Sequence, residues 1–514
     1  MLALSNSVLL LLGFVYRVLL GRLAGPEGMG VYTLVIQVYS IVMSVCVSGL
    51  CVGVTHTTAN LIARGNPAGI HKLVGFAVSC FLFLLALLAV PVLLFRDDIA
   101  TGILGDARTS NALAMTLACI LLTGLENILK AAFNGARLVR FTAISEVGEQ
   151  LLRIVLAWLL LTRYINGDHG YTAFLILSVM TLSEMYSVVF LSISYASKLR
   201  GSARAKPGAG RGIRKEFLKI ALPSAMTAIL SNVFSSISVV VFPSRLMQAG
   251  YSRVEAVSSL GLISSMVSPL LMLPSAFVSA LSTLILPSVT AGIARRDYPD
   301  LVRKVNKGIE ATGLMGLPAT AVLLPYIPLL TAMLFGQTVP PALAEALALQ
   351  AIAAYYLSIS TNILYGLGKQ KHVLILSAAC EVLQLVLVWF MTAMPSLHVY
   401  GYIFGMLIGD VLRAVVSFVL IHKATHTRPR IFHAAVVPLA CSVVLYACVR
   451  IIFFEAIKGG MTATAALLVS LPACLLLYFL LLRLLRVNIW SYLKRVVLRH
   501  DPAHEDRTGA DPVP

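Results

Sequence analysis

The chain has 514 residues, 59% of them hydrophobic and 12% charged, and its mean hydropathy is +0.89. A soluble protein carries about 25% charged residues, and no water-soluble fold of this length hides so much apolar surface, so the solvent of this chain is lipid. The formal net charge of +18 would suit nucleic acid, but the basic residues lie mostly in alternate loops, the pattern of a membrane topology signal, which argues against that partner.

Leu2 to Leu20 opens the chain as a spanning segment, without the pattern of a cleaved leader. Further apolar runs predict helices over 30–62, 70–95, 111–135, 141–163, 171–197, 216–243, 257–292, 304–330, 342–366, 372–394, 399–422, 432–454 and 461–485. The second and eighth are too long to end at the bilayer surface, so they should project or bend. Gly30 and Gly261 are 231 positions apart, and so are Gly135 and Gly366, Trp158 and Trp389, and Gly170-Tyr171 and Gly401-Tyr402. Ile62-Ala63-Arg64 and Ile293-Ala294-Arg295 keep the same offset. The chain is therefore two copies of one unit, and two similar bundles facing each other are the architecture of an alternating-access transporter. The expected fold is an all-α integral membrane protein of fourteen transmembrane helices. Its lobes are 1–197 and 216–422, six helices each, joined by a linker at 198–215. Two extra helices follow over 432–485, then a tail over 486–514.

With the N-terminus inside, 28 of the 40 basic residues fall in inner loops and tail, 8 fall outside and 4 within spans. That split predicts both termini in the cytoplasm. The linker, Lys-Leu-Arg-Gly-Ser-Ala-Arg-Ala-Lys-Pro and onward, reads as a flexible basic connection that also favours anionic headgroups. The eight cysteines sit in apolar segments with no CxxC pair and no histidine at ligand spacing, so neither a disulfide frame nor a metal site is expected. There is no GxSxG, HExxH or P-loop, hence no expectation of an enzyme, a cofactor or an ATP site. Energy would come from an ion gradient, the membrane potential or substrate flux.

The first loop, Arg22-Leu-Ala-Gly-Pro-Glu-Gly-Met-Gly-Val-Tyr32, follows Leu12-Gly13-Phe14-Val15-Tyr16-Arg17. Arg245-Leu-Met-Gln-Ala-Gly-Tyr251, Leu334-Phe335-Gly336 before Ala344 and Leu347, and Tyr365-Gly366-Leu367-Gly368-Lys369-Gln370 with its counterpart Asn134-Gly135-Ala136-Arg137 complete the set. Together these resemble the polysaccharide-transporter branch of the multidrug/oligosaccharidyl-lipid/polysaccharide (MOP) exporter superfamily, and most closely the stage V sporulation protein B group. The resemblance covers nearly the whole chain. It implies a flippase for a polyprenyl-diphosphate-linked saccharide such as the peptidoglycan precursor lipid II, and a few more residues ahead of Met1. It also implies cavity arginines. Arg17 matches one such position only approximately, because Tyr16 intervenes after the Leu-Gly-Phe-Val run.

A lipid diphosphate needs a wet cationic cavity, and arginine suits phosphate because its planar fork gives paired hydrogen bonds. The candidates are Arg17, Arg245 and Arg22. A charge within a span costs about 2.5–3.5 kcal/mol on insertion scales and is rarely idle. Snorkelling explains Arg17 equally well, and interfacial anchoring is the simpler reading of Arg22. Arg245 follows Pro243, where a broken helix would turn it inward. Glu126 with Lys130, and Glu149 with Arg153, are i,i+4 pairs. Self-neutralisation is their plain reading, and sensing of a proton or sodium ion by Glu126 or Glu149 the sharper one. His56 and Asn60 share one helix face and suit a cavity lining or an ordinary interhelical contact. Pro243, Pro269 and Pro274 are hinge candidates.

The reading is a lipid-linked oligosaccharide flippase of the bacterial plasma membrane, in which one lobe rocks against the other. Its expected partners are the lipid-linked substrate, membrane lipids and cell-wall synthesis enzymes, with a monomer as the expected state. Two rivals stand: a cation-coupled multidrug antiporter of the same superfamily, and a non-transporting scaffold for cell-wall assembly.

Overall fold

The computed structural model describes residues 2–66, 68–200, 212–294, 298–425 and 435–484. Most of the basic linker and the tail beyond 484 lie outside them. Among the described residues every regular element is helical, as a hydrocarbon solvent demands of a chain that must satisfy its own backbone. Twelve of these helices are long and apolar enough to cross a membrane, so the chain is a multi-pass membrane protein. Phe83, Leu87 and Leu94 stand exposed on one such helix, as lipid-facing side chains do.

The expected loop between the first two spans is instead one residue deep. Helix α1 runs Leu2–Met43 and breaks at Gly25, whose φ of 69° precedes Pro26. Glycine takes that backbone without a Cβ clash, and the proline supplies no N–H to continue the ladder. A π-helical turn at Ser44–Ser48 then leads into α2, Gly49–Ala63. The long second span is therefore interrupted by a π-helical turn. Next come α3 (Ala68–Leu94), α4 (Ser110–Gly135), α5 (Val139–Tyr164) and α6 (His169–Tyr195). Glu146, Glu149 and Arg153 keep α5 from meeting the apolar criterion of a membrane span.

Helix α7, Ile213–Gln248, runs through both Pro223 and Pro243 without a break. The predicted eighth span is divided instead. It comprises α8 (Arg253–Gly261), a π-helical stretch Leu262–Val267, a short helix Ser268–Leu271 and, after a turn, α9 (Ser275–Ala294). Pro269 lies in the short helix and Pro274 ends the turn. Then follow α10 (Tyr298–Leu323), α11 (Ile327–Phe335), α12 (Pro341–Gly366), α13 (Gln370–Met391), α14 (Val399–Thr425), α15 (Val437–Lys458) and α16 (Ala463–Leu484).

Two compact units result, and they cut across the sequence repeat. One holds the described residues within Met1–Pro269, Thr331–Gln337 and Ser377–Gly409; the other holds those within Leu270–Leu330, Thr338–Leu376 and Asp410–Pro514. The repeat reappears as matched close approaches. In the first unit a Cβ on Gly30 would lie 2.0 Å from the Val257 carbonyl oxygen, and one on Gly261 would lie 1.9 Å from that of Pro26. A Cβ on Gly135 would lie 2.4 Å from the Thr55 carbonyl oxygen. In the second unit one on Gly366 would lie 3.1 Å from that of Leu286. Each pair of contacts is related by the 231-residue offset, so the duplicated glycines mark duplicated packing.

In the second unit the C-terminal helices are tied down at Tyr326. Its ring meets Phe453 edge-on at 5.1 Å and its hydroxyl donates to Ser470 at 2.6 Å.

Candidate functional site

Three helices of the first unit gather six ionisable side chains. Helix α4 carries Glu126 and Lys130 one turn apart, and Lys130 Nζ lies 2.6 Å from Glu126 Oε1. From α5, Glu146 and Glu149 stand 3.4 Å and 3.8 Å from the same ammonium. Arg153, one turn beyond Glu149, contacts it directly and reaches Glu184 of α6 at 3.5 Å. Carboxylate oxygens of Glu126, Glu149 and Glu184 all lie within 4.8 Å of one another. These three residues are only 2%, 7% and 2% exposed, so the cluster sits in the protein rather than against lipid.

Hydroxyls complete the shell. Ser187 donates to Glu126 at 2.5 Å, Arg153 Nε donates to Ser183 at 2.9 Å, and Thr123 makes a short bond to Glu184. Tyr39 donates to Thr123 at 3.1 Å. The Tyr16 hydroxyl, within electrostatic reach of Arg153 and Glu184, is buried without a hydrogen-bond partner among the described residues. Four carboxyl groups face two cations here. Glu146 is partly exposed, so solvent screens its charge; the three buried carboxylates against two cations leave one uncompensated negative charge when all are ionised, which costs several kcal/mol in a low-dielectric site. Bound protons or a bound cation would make up the deficit, and the three convergent carboxylates offer oxygen ligands suited to a hard cation.

The second copy of the repeat builds its helices without these charges. The positions 231 residues on from Glu126, Lys130, Glu146, Glu149, Arg153 and Glu184 are Leu357, Thr361, Ser377, Cys380, Gln384 and Val415. Gln384 there donates to the Met406 carbonyl at 2.9 Å. The second copy is neutral at these six positions, although its helices carry charges elsewhere: Glu381 on α13, and Asp410 with Arg413, 3.9 Å apart, on α14.

None of the other sequence candidates makes a hydrogen bond or ion pair with this cluster among the described residues, although Arg17 acts on Tyr32 from within the same electrostatic reach as Arg153 and Glu184. Arg17 and Arg22 are exposed on α1, before the Gly25 break, and neither makes an ion pair among the described residues. Arg245 stacks its guanidinium 3.0 Å from the centre of the Trp389 ring and donates to Gln248 at 2.8 Å, with its buried Nε unpartnered among the described residues. The Trp389 ring, together with Pro243 and Arg253, lines a cavity of about 250 Å³. His56 and Asn60 belong to a polar clamp. Asn60 Nδ2 donates to Glu216 at 2.9 Å and faces His56 at 3.3 Å, while Arg64 grips both Glu216 oxygens at 3.1 Å and 3.2 Å. The clamp joins the end of α2 to the first turn of α7.

The sequence shows the two i,i+4 pairs, and it shows Glu146, Glu184, Glu310, Glu381 and Asp410 as further acids in or near spans, but it does not show that Glu184 joins the pairs. The only local signal of Glu184 is a lone acid within an apolar span. Nor does the sequence show a second ionic group, in which Arg108 lies 2.5 Å from Glu27 and 2.7 Å from Asp106, with His169 3.1 Å from Glu27.

These helices make the fold of the MOP-type membrane transporters. The chain aligns on the inward-facing conformation of a multidrug resistance MATE family transporter of the MOP superfamily with a TM-score of 0.66 and 18% identity, over 81% of this chain and 94% of that one. Residues 2–159 match the MatE family. The chain is 22% identical over 426 residues to stage V sporulation protein B of Bacillus subtilis (strain 168), covering 82% of this chain and 81% of that protein. It is 21% identical over 507 residues to the lipid II flippase MurJ of the same organism, covering 92% of each. The resemblance read from the loop motifs is borne out. The activities named among these relatives are transport and lipid flipping rather than catalysis.

Proposed function

We propose that the chain flips a polyprenyl-diphosphate-linked saccharide, a peptidoglycan precursor of the lipid II type and one serving spore cortex, across the bacterial plasma membrane by alternating access. The observation that carries this reading is likeness to a lipid II flippase along 92% of both chains. The transporter fold supports it as well. In this reading fourteen helices span the membrane with both termini cytoplasmic. The bodies 1–197 and 216–422 rock in a monomer, the pair over 432–485 shelters the prenyl tail, and cell-wall enzymes supply the substrate. Support for that count comes from the Gly25 break, which divides the longest apolar run, and from α5, which adds one helix to the twelve apolar ones.

Arg17, Arg22 and Arg245 hold the diphosphate, with Pro243, Pro269 and Pro274 as hinges. The cluster of Glu126, Glu149 and Glu184 couples transport to a proton or sodium gradient. Support for coupling comes from the second copy, which folds its helices without any of these charges. No bound cofactor or ATP is needed.

The test is depletion of the protein with the leaflet of lipid-linked precursor read by an external probe. Accumulation in the cytoplasmic leaflet, reproduced by Arg17→Ala or Arg245→Ala protein present at normal level in the membrane, is the expected result. Full complementation by both variants would remove the arginines from the cavity. A multidrug antiporter is the second reading, favoured by the acidic cluster and the MATE-type fold. Unchanged precursor distribution with increased drug sensitivity would put it first.

A further inference from the structure

We propose a specific phospholipid site in the second unit, one that takes a zwitterionic phosphoethanolamine lipid. A cavity of about 290 Å³ opens between the residues around Pro325, the start of α12 and the last turns of α15. At roughly 30 Å³ per water-sized group it accommodates about ten methylene-sized groups. Leu329, Phe453, Phe454 and Ile457 make most of its wall apolar. Two opposite charges and one phenol stand on it: Glu345, Arg450 and Tyr446.

The polar groups are arranged in a line. Tyr446 donates its hydroxyl proton to Glu345 Oε1 at 2.8 Å, and Arg450 Nη1 donates to the same phenol oxygen at 3.4 Å. The carboxylate and the guanidinium thus flank one oxygen and lie no more than roughly 6 Å apart. No ion pair joins them, and Arg450 has no carboxylate partner among the described residues. Its plane rests 5.9 Å over Phe454, with donors left over. An exposed arginine held beside an exposed glutamate, unpaired with it, above an apolar hole, is a two-point receptor with a chain slot.

A phosphoethanolamine headgroup has the matching chemistry. Its phosphate and ammonium are joined by a two-carbon bridge, so both fit across such a gap while an acyl chain enters the cavity. Arginine takes the phosphate by paired donors, and Glu345 takes the ammonium. A purely anionic headgroup, or a prenyl diphosphate, would place uncompensated negative charge against Glu345. Position agrees with a lipid. Glu345 is one turn from the start of α12, and Arg450 two turns from the end of α15, so the pair sits near the end of the spans where headgroups lie.

The test uses the full-length protein in nanodiscs containing equal mole fractions of phosphatidylethanolamine, phosphatidylglycerol and phosphatidylcholine, followed by native mass spectrometry of the retained lipid. Preferential retention of one phosphatidylethanolamine is expected. Arg450→Gln should lower that retention about tenfold, and Arg450→Lys should restore part of it. Glu345→Gln should erase the preference over phosphatidylglycerol while leaving retention itself. Equal retention of the three lipids, or phosphatidylethanolamine retention unchanged in both neutral variants, overturns the proposal. So does stronger retention of phosphatidylglycerol, or displacement by an added polyprenyl diphosphate at lower concentration than by phosphatidylethanolamine. Thermal melts of each variant identify any that fail to fold, and Arg450→Lys then carries the charge test. Only displacement by a polyprenyl diphosphate bears on the flippase reading, which places the prenyl tail on a pair of helices that includes α15; the other outcomes are independent of it.

Discussion

Gly261→Ala probes the contact that the duplication creates. The added Cβ would fall 1.9 Å from the Pro26 carbonyl oxygen and 2.6 Å from the Gly30 amide nitrogen, where 3.4 Å begins ordinary contact. Both neighbours are backbone, so no rotamer change relieves the overlap, and α1 and α8 must separate by about 1.5 Å. Overpacking costs about 1–3 kcal/mol, and a clash with backbone belongs at about 3. The Thr33 and Ser265 hydroxyls, 3.1 Å apart a turn further on, would part as well. Gly30→Ala meets the Val257 carbonyl oxygen at 2.0 Å and should cost a similar amount. The double variant should cost much less than the sum, because helices already separated by one methyl admit the second. Gly75→Ala, with nothing within 4 Å of its Cβ, is the control and should be neutral or slightly stabilising. The assay is thermal unfolding in detergent, followed by a thiol-reactive dye on the buried cysteines. Strictly additive penalties, or a Gly261→Ala melt equal to that of Gly75→Ala, would refute the shared close approach.

Arg153→Gln removes the cation between Glu149 and Glu184 and should destabilise by about 3–5 kcal/mol, since it strands buried carboxylates. Arg153→Gln with Glu149→Gln should recover part of the loss, and a melt that worsens further would show that the two side chains do not share one site. Outside the membrane, burial alone would raise the Asp106 carboxyl, but bonds from the Arg108 guanidinium and amide outweigh that and hold it below its ordinary value. A depressed acid contributes stability in full above its unfolded pKa of about 3.9 and loses it as pH falls through the lower folded value. Asp106→Asn should therefore cost about 1–2 kcal/mol at neutral pH and flatten the acid limb of the stability profile, and an unchanged limb would show that Asp106 does not titrate with folding.

How much of this was legible follows from where each signal resides. The repeat was readable because its glycines stand at backbone contacts that admit no side chain, and Gly30 and Gly261 cannot drift without moving a helix. The i,i+4 pairs were readable because one turn of helix fixes their spacing. The link through Glu184 was not, because α6 meets α4 and α5 only through tertiary packing, 35 residues beyond Glu149 in the chain. The loop expected between the first two spans turned out to be one left-handed residue, because Gly25-Pro26 breaks a helix without requiring more chain. Pro243 reads like a break and is none. In a membrane helix neighbouring groups and local adjustment absorb the lost hydrogen bond, whereas the turn at 272–274 lies beside Pro274.

The deeper inference rests on comparing the two copies. A duplication runs its own control, since the same helices are built twice from different side chains. Where both copies keep glycine, geometry is the constraint. Where one copy places Glu126, Lys130, Glu149, Arg153 and Glu184 and the other places Leu357, Thr361, Cys380, Gln384 and Val415, geometry is not. The helices of the second copy form with neutral side chains at these positions, their own charges Glu381, Asp410 and Arg413 lying elsewhere, and buried ionic networks are often no more stabilising than apolar replacements. A cluster retained for packing alone would then be replaceable as a whole. Exchanging all five charges for their counterparts should accordingly leave a folded membrane protein with transport lost. Loss of folding would return the cluster to architecture, and retention of transport would remove it from coupling.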